Sequence, residues 1–237
     1  MNLLLDPWLP VRRQNGAFDW IAPHQIAETD NPPVALDAAR PDFNGALIQF
    51  LIGLLQTACP PDGDDDWEGW RDAPPTSTQL QAAFKPCEAA FVLDGDGPRF
   101  MQDLTLTGAD GEAKGIAALL IESPGAQSLE HNADHFIKRH SVNALCPRCA
   151  AAGLYTLQTN APSGGAGHRT GLRGGGPLTT LMVDAKSSTL WRAVWLNVLP
   201  VSTVLELHPG KERSASHAVF PWCADQASTQ APGEKSE

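Results

Sequence analysis

Apolar residues fall most densely between positions 46 and 55, where Ala46, Leu47, Ile48, Phe50, Leu51, Ile52, Leu54 and Leu55 leave few polar sides on one helix. Asp42 is placed to cap that helix and Cys59 to end it. A helix apolar on most sides belongs at the centre of a core. The stretch before it has another rhythm. Residues 3–11 read as extended chain, because Pro7 and Pro10 forbid a helix through them. Asn15-Gly16 is a hairpin signal, with residues 18–21 as the return strand. Residues 60–75 are acidic and turn-rich.

Further along, the pattern predicts short elements. A helix over 78–85 is stopped by Pro86, and a strand over 89–93 is followed by the turn Asp94-Gly95-Asp96-Gly97. Helices follow over 115–122 and 145–158, the second with a CxxC in its first turn. Residues 164–176 hold seven Gly and form a loop. Residues 178–183 read as a strand, and 187–199 as an amphipathic helix stopped by Pro200. The sum is a mixed α+β fold, irregular and loop-rich. Residues 1–223 read as one domain and 224–237 as a flexible tail or truncation point.

With 237 residues, 42% hydrophobic and 19% charged, the chain can bury a sizeable core. The 21 Gly and 20 Pro explain the many breaks. The opening lacks the basic and long apolar regions of a signal peptide, and no run is apolar enough to span a bilayer. A cytoplasmic location with no membrane association is therefore expected. Five Cys, two of them in a CxxC, do not resemble a secreted disulfide framework.

Charge changes the picture locally. The net charge is −10, which argues against a general nucleic-acid coat. Between Gln127 and Gly176, however, Lys138, Arg139, Arg148, Arg169 and Arg173 outnumber Glu130 and Asp134. Four of the seven His lie there too. One basic region on an acidic body suits a protein that meets phosphate in one place.

Three clusters in this region carry candidate chemistry. The first is Ser163-Gly164-Gly165-Ala166-Gly167-His168-Arg169, which continues to Arg173. Its glycines permit close backbone approach and free N–H groups for an anion, and the Arg and His add charged donors. A plain surface loop is the alternative. It is neither a Walker loop nor a dinucleotide fingerprint, because no Gly-Lys-Ser/Thr occurs and Thr170 stands where GxGxxG needs Gly. The second is Phe136 beside Lys138 and Arg139, an aromatic among basic residues that can stack a base while holding phosphate. The alternative is an ordinary loop with Phe136 tucked into the core. The third is His135, His140, Cys146 and Cys149, which have the residue types of a structural Zn2+ site. The alternative is a reduced Cys pair at a helix start. The acidic run from Asp62 fails the EF-hand pattern at its Gly and Glu positions, and GxSxG and HExxH are absent. No catalytic residue is assigned.

Several short motifs together resemble one family, the large (CasA-type) subunit of the type I-E CRISPR surveillance complex, Cascade. The opening Asn2-Leu3-Leu4-Leu5-Asp6-Pro7-Trp8-Leu9-Pro10-Val11 is similar to that family's start. So are Phe100-Met101-Gln102, Ala144-Leu145-Cys146-x-x-Cys149, the run from Ala161 to Gly175, and Leu196-Asn197-Val198-Leu199. The resemblance implies a non-enzymatic, nucleic-acid-binding subunit that needs no cofactor. It would help recognise the protospacer-adjacent motif in duplex target DNA and contact the 5′ handle of the guide RNA. Its partners would be the other Cascade subunits and a helicase-nuclease recruited by the full complex. Carried over from the resemblance, Ser163 to Gly167 fall on the family's DNA-contacting glycine loop, with His168 and Arg169 adjoining it. Phe136 matches an aromatic on the preceding RNA- or DNA-contacting loop, with Lys138 and Arg139 beside it. Family members are about twice as long, so a fragment or split subunit without the C-terminal four-helix bundle is expected. The rivals are a zinc-dependent metalloprotein or hydrolase centred on the His/Cys cluster, and a fragment that only docks into the complex.

Overall fold

The computed structural model describes residues 1–104, 106, 109, 113–161, 171, 180–184, 188–207 and 219–223. They fall into two units, Met1–Thr107 with Thr180–Glu237, and Gly108–Thr179. The architecture is mixed α+β, as the sequence predicts.

The first unit begins with a short knot rather than extended chain. Asp6 N–H donates to the Asn2 carbonyl at 2.9 Å, which makes residues 2–6 a helical turn. Asn2 accepts from Leu4 N–H at 2.9 Å through its side chain and donates to the Glu88 carbonyl at 3.0 Å. The Asp6 carboxylate accepts from Asn2 N–H, and the buried Trp8 indole donates to the Leu3 carbonyl at 2.7 Å. The polar residues of the opening motif thus satisfy the backbone around Leu3, Leu4 and Trp8, all at most 1% exposed.

Strand β1 (Leu9–Arg13) follows. It pairs antiparallel with β2 (Phe18–Ile21) through the Asn15-Gly16 turn, where Gly16 sits at φ 84°. A third strand, β3 (Pro33–Leu36), lies on the other side of β1, with a register shift at Arg12/Arg13. It is too short and proline-led to read from the pattern.

Helix α1 (Pro41–Ala58) is the predicted central helix, and its Phe43, Ala46, Leu47, Phe50, Leu51, Leu54 and Leu55 are buried. The capping residue differs from expectation. Arg40 occupies the N-cap, and Asp42 sits in the first turn, paired with the Arg40 guanidinium at 2.9 Å. Phe50 meets Trp8, Phe91 and Phe100 edge-on, and Phe91 stacks on Phe100 at 5.4 Å. The Phe-Met-Gln motif is held along the preceding segment. Phe100 N–H donates to the Val92 carbonyl at 2.7 Å, and the Gln102 amide donates to the Leu93 carbonyl at 2.8 Å. The strand expected over 89–93 is replaced by a 3-10 helix over Lys85–Phe91 and a single bridge from Val92 to Asn2.

The acidic stretch holds a helix, α2 (Asp64–Asp72), with three Asp in its first turn, where the helix dipole favours them. Helix α3 (Ser77–Phe84) is closed by a Thr76/Gln79 capping box. In the second unit, a 3-10 turn (Ile116–Leu119) packs near α5 (Pro147–Asn160), and α4 (Ala126–Glu130) lies between them in sequence.

Back in the first unit, the predicted helix over 187–199 is shorter than expected. Helix α6 (Leu190–Trp195) is capped by Thr189, and Pro200 precedes a further helix, α7 (Val201–Leu207), instead of ending the first. Trp70, Trp191 and Trp195 cluster, with Trp191 stacked on Trp195 at 5.1 Å. Three indole N–H groups join α2 to α6 and the segment after it, each donating to a carbonyl. Trp191 donates to Trp70 at 3.0 Å, Trp195 to Trp67 at 2.9 Å, and Trp67 to Val198 at 2.9 Å. The Trp70 carbonyl lies in the last turn of α2, where a helix lacks internal donors. Residues 180–184 have no regular secondary structure where a strand was expected, and 178 and 179 lie outside the described residues.

Candidate nucleic-acid interface

The candidate residues all belong to the second unit. Its α5 starts where the CxxC predicts a helix. Cys146 is the N-cap and its Sγ accepts from Cys149 N–H at 3.4 Å, while Pro147 takes the first helical position. Burial pushes the Cys146 pKa up, but hydrogen bonds from the Cys149 amide and thiol and the Arg148 amide, with the Arg148 charge, together leave it lowered. Burial first, then the neighbouring Cys146, pushes the Cys149 thiol up to about 11. Further along α5, Ala151, Ala152, Thr156 and Thr159 are buried. The two threonine hydroxyls bond back to Ala152 and Tyr155 carbonyls at 2.7 Å.

The helix ends beside the glycine-rich run. Gly171 N–H donates to the Ala161 carbonyl at 3.1 Å, so the chain leaves at one residue and returns at the other to the same place. A Cβ on Gly171 would lie 2.7 Å from the Thr159 carbonyl oxygen and 2.9 Å from Ala161 N, both backbone atoms. Only glycine fits there without a shift. This assigns a packing reason to the first glycine of Gly171-Leu172-Arg173-Gly174-Gly175. The candidate DNA contacts Ser163, Gly164, Gly165, Ala166, Gly167, His168 and Arg169 lie outside the described residues.

The second cluster is built by a turn. Ile137 N–H donates to the Asp134 carbonyl at 3.0 Å, which closes the four residues from Asp134 to Ile137 with Phe136 in the third place. Phe136 is 100% exposed, which rules out the core-tucked alternative. Lys138, His135 and His140 are exposed as well. Arg139, expected beside phosphate, has an internal partner. Its Nε and Nη2 donate to the two oxygens of Asp134 at 2.6 Å each, and Nη2 also reaches Asn132 Oδ1 at 3.0 Å and the Leu129 carbonyl at 3.3 Å. Hydrogen bonding from Arg139 holds the Asp134 pKa down at about 2. Asp134 and Asn132 were not legible as site residues, because a five-residue separation matches neither a helical face nor a strand pair.

Among the described residues no group of three or more His, Cys, Asp or Glu is placed to hold a metal ion. Cys146 and Cys149 come together, but His135 and His140 do not join them. Cys146 is fixed as a helix cap, His135 lies within the exposed turn, and His140 follows it at φ 57°. Two thiols supply half of a tetrahedral set. No helix among the described residues is long and apolar enough to cross a membrane.

The fold has known relatives. Cse1 from Thermobifida fusca superposes with a TM-score of 0.67 at 18% identity, over 86% of this chain and 40% of that one. The CRISPR-associated protein Cse1 from Acidimicrobium ferrooxidans gives 0.62 at 22%, over 85% and 39%, and Thermus thermophilus CasA (Cse1) gives 0.59 at 20%, over 84% and 40%. The chain therefore spans about two fifths of the length of these solved relatives. The sequence model described as CRISPR-associated protein Cse1 matches residues 2–237. With that match over nearly every residue, and with the opening knot, the Phe-Met-Gln clasp and the CxxC helix cap each accounted for by a contact, the chain belongs to the CRISPR-associated protein Cse1 family.

Proposed function

We propose that this chain is a nucleic-acid-contacting part of the large subunit of a type I-E Cascade complex, acting in the cytoplasm by binding rather than by breaking bonds. The exposed turn bearing Phe136 meets the guide RNA 5′ handle. Ser163 to Arg169 meet the protospacer-adjacent motif of duplex target DNA, with backbone N–H groups from Gly164 to Gly167 and charge from Arg169. Minor-groove contact favours a chain with little side-chain bulk. The other Cascade subunits hold the chain in place, and a recruited helicase-nuclease cuts the DNA.

The observation that carries this reading is the full exposure of Phe136 at the turn, with Lys138 two residues on. A large aromatic costs free energy when left in water, and an unpaired base is a flat partner that removes it. The test uses a guide-RNA complex lacking its large subunit, with and without this chain, titrated with duplex DNA at fixed salt. Restored binding that a Gly165→Asp/Arg169→Ala variant loses is the expected result. Restoration that the variant retains would overturn the glycine-run assignment.

A further inference from the structure

Arg139 is surrounded by acceptors from its own loop. Two oxygens of Asp134, the Asn132 side chain and the Leu129 carbonyl account for its Nε and Nη2 donors. Bidentate pairing of this kind fixes geometry as well as charge. The Asp134 side chain is 6% exposed, so its carboxylate is turned into the loop. The same residue starts the turn through its carbonyl, which accepts from Ile137 N–H at 3.0 Å. Asn132 adopts φ 50° in the approach to the turn, a conformation Asn tolerates better than most residues. The contacts therefore close residues 129–139 on themselves and leave Phe136 outside.

From this we infer that Asp134 and Arg139 are a positioning pair: Arg139 does not contact phosphate but braces the turn that presents Phe136 to an unpaired RNA base. The inference rests on the reading that Phe136 contacts nucleic acid. A duplex offers its bases already stacked, whereas a single strand can splay one onto the ring. The brace lowers the ordering cost of that contact, because the turn is formed before the base arrives.

The competing role for Arg139 makes opposite predictions. If Arg139 met phosphate, removing the Asp134 charge would release it and tighten RNA binding, and Arg139→Lys would keep the contact. If Arg139 braces the turn, both changes weaken binding, because Lys cannot reproduce the bidentate fork.

The experiment titrates the full chain with a labelled single-stranded RNA of the 5′-handle sequence at fixed salt, and follows hydrogen exchange at amides 131–137. Phe136→Ala is expected to weaken binding about tenfold, the scale of one lost base stack. Asp134→Asn and Arg139→Lys are each expected to weaken it by about threefold or more, and to add nothing in a Phe136→Ala background. Both are expected to speed exchange at the turn. Tighter binding by Asp134→Asn, or wild-type affinity in Arg139→Lys, would overturn the positioning role. So would unchanged exchange at 135–137 in both variants. Unchanged affinity in Phe136→Ala would instead overturn the contact reading, and exchange would still report on the brace separately.

Discussion

Asn197 holds the backbone of Met182 from both sides, accepting from its N–H at 2.6 Å and donating to its carbonyl at 3.1 Å. The same amide donates to the Ala193 carbonyl at 2.9 Å, within α6. One side chain thus ties residues 180–184 to the end of that helix, and Arg192 adds an ion pair to Asp184 at 3.1 Å. This is a physical reason for Asn in the Leu196-Asn197-Val198-Leu199 motif, since only a side-chain amide offers a donor and an acceptor side by side.

Asn197→Ala is expected to cost about 2–3 kcal/mol, the scale of three net hydrogen bonds. Asn197→Asp should do no better, because a carboxylate cannot donate to the Met182 carbonyl. Urea midpoints of the three proteins check this. Wild-type stability in Asn197→Asp would count against the two-sided arrangement.

Trp195→Phe keeps an aromatic ring but removes the donor to the Trp67 carbonyl. A loss of about 1 kcal/mol is expected, against about 3–5 kcal/mol for Trp195→Ala, which also opens a cavity beside Trp191 and Trp70. Chemical denaturation with an unchanged slope would place both losses in the folded state.

Gly171→Ala brings a methyl group to 2.7 Å from a backbone oxygen that cannot rotate away. The expected cost is about 1–3 kcal/mol, localised to the second unit. Faster hydrogen exchange at the residue-171 amide, with the first unit unaffected, is the measurement that checks it.

The Asp134 carboxyl has its pKa lowered to about 2 by hydrogen bonds from Arg139, with a smaller favourable contribution from His135. A group whose pKa falls on folding stabilises the folded form above its unfolded value, about 3.9 for Asp. That contribution is lost as pH falls through about 2. The contribution of the brace to stability is therefore expected to be constant from pH 7 to about pH 4 and to decline below that, while the pair itself stays formed until the pH nears 2. An NMR titration of the Asp134 carboxyl carbon should show it still ionised at pH 3. A midpoint near 4 would mean that no brace forms.

The legible parts of the fold were those with dense local signals. The apolar run fixes α1, the Asn15-Gly16 pair fixes the hairpin, and the CxxC followed by alanines fixes the start of α5. Helix α2 was hidden because its sequence is polar and flanked by glycine and proline. It is held by the Trp191 and Trp195 indoles of α6, about 120–130 residues later, donating to its Trp70 and Trp67 carbonyls. The strand expected over 89–93 lost to a single bridge with Asn2, a partner that no local window contains. At the candidate site, the sequence identified Phe136 but left its exposure open, because burial depends on what the turn packs against. The partner of Arg139 was invisible for the same reason.

The Gly171–Ala161 bond has a consequence for how this family can vary. A segment whose two ends are fastened together at the end of a helix can change without moving that helix. Lengthening it costs only a logarithmic loss of entropy, about 0.6 kcal/mol per doubling. Residues 162–170 can therefore be exchanged as a cassette while α5 keeps its end at Asn160.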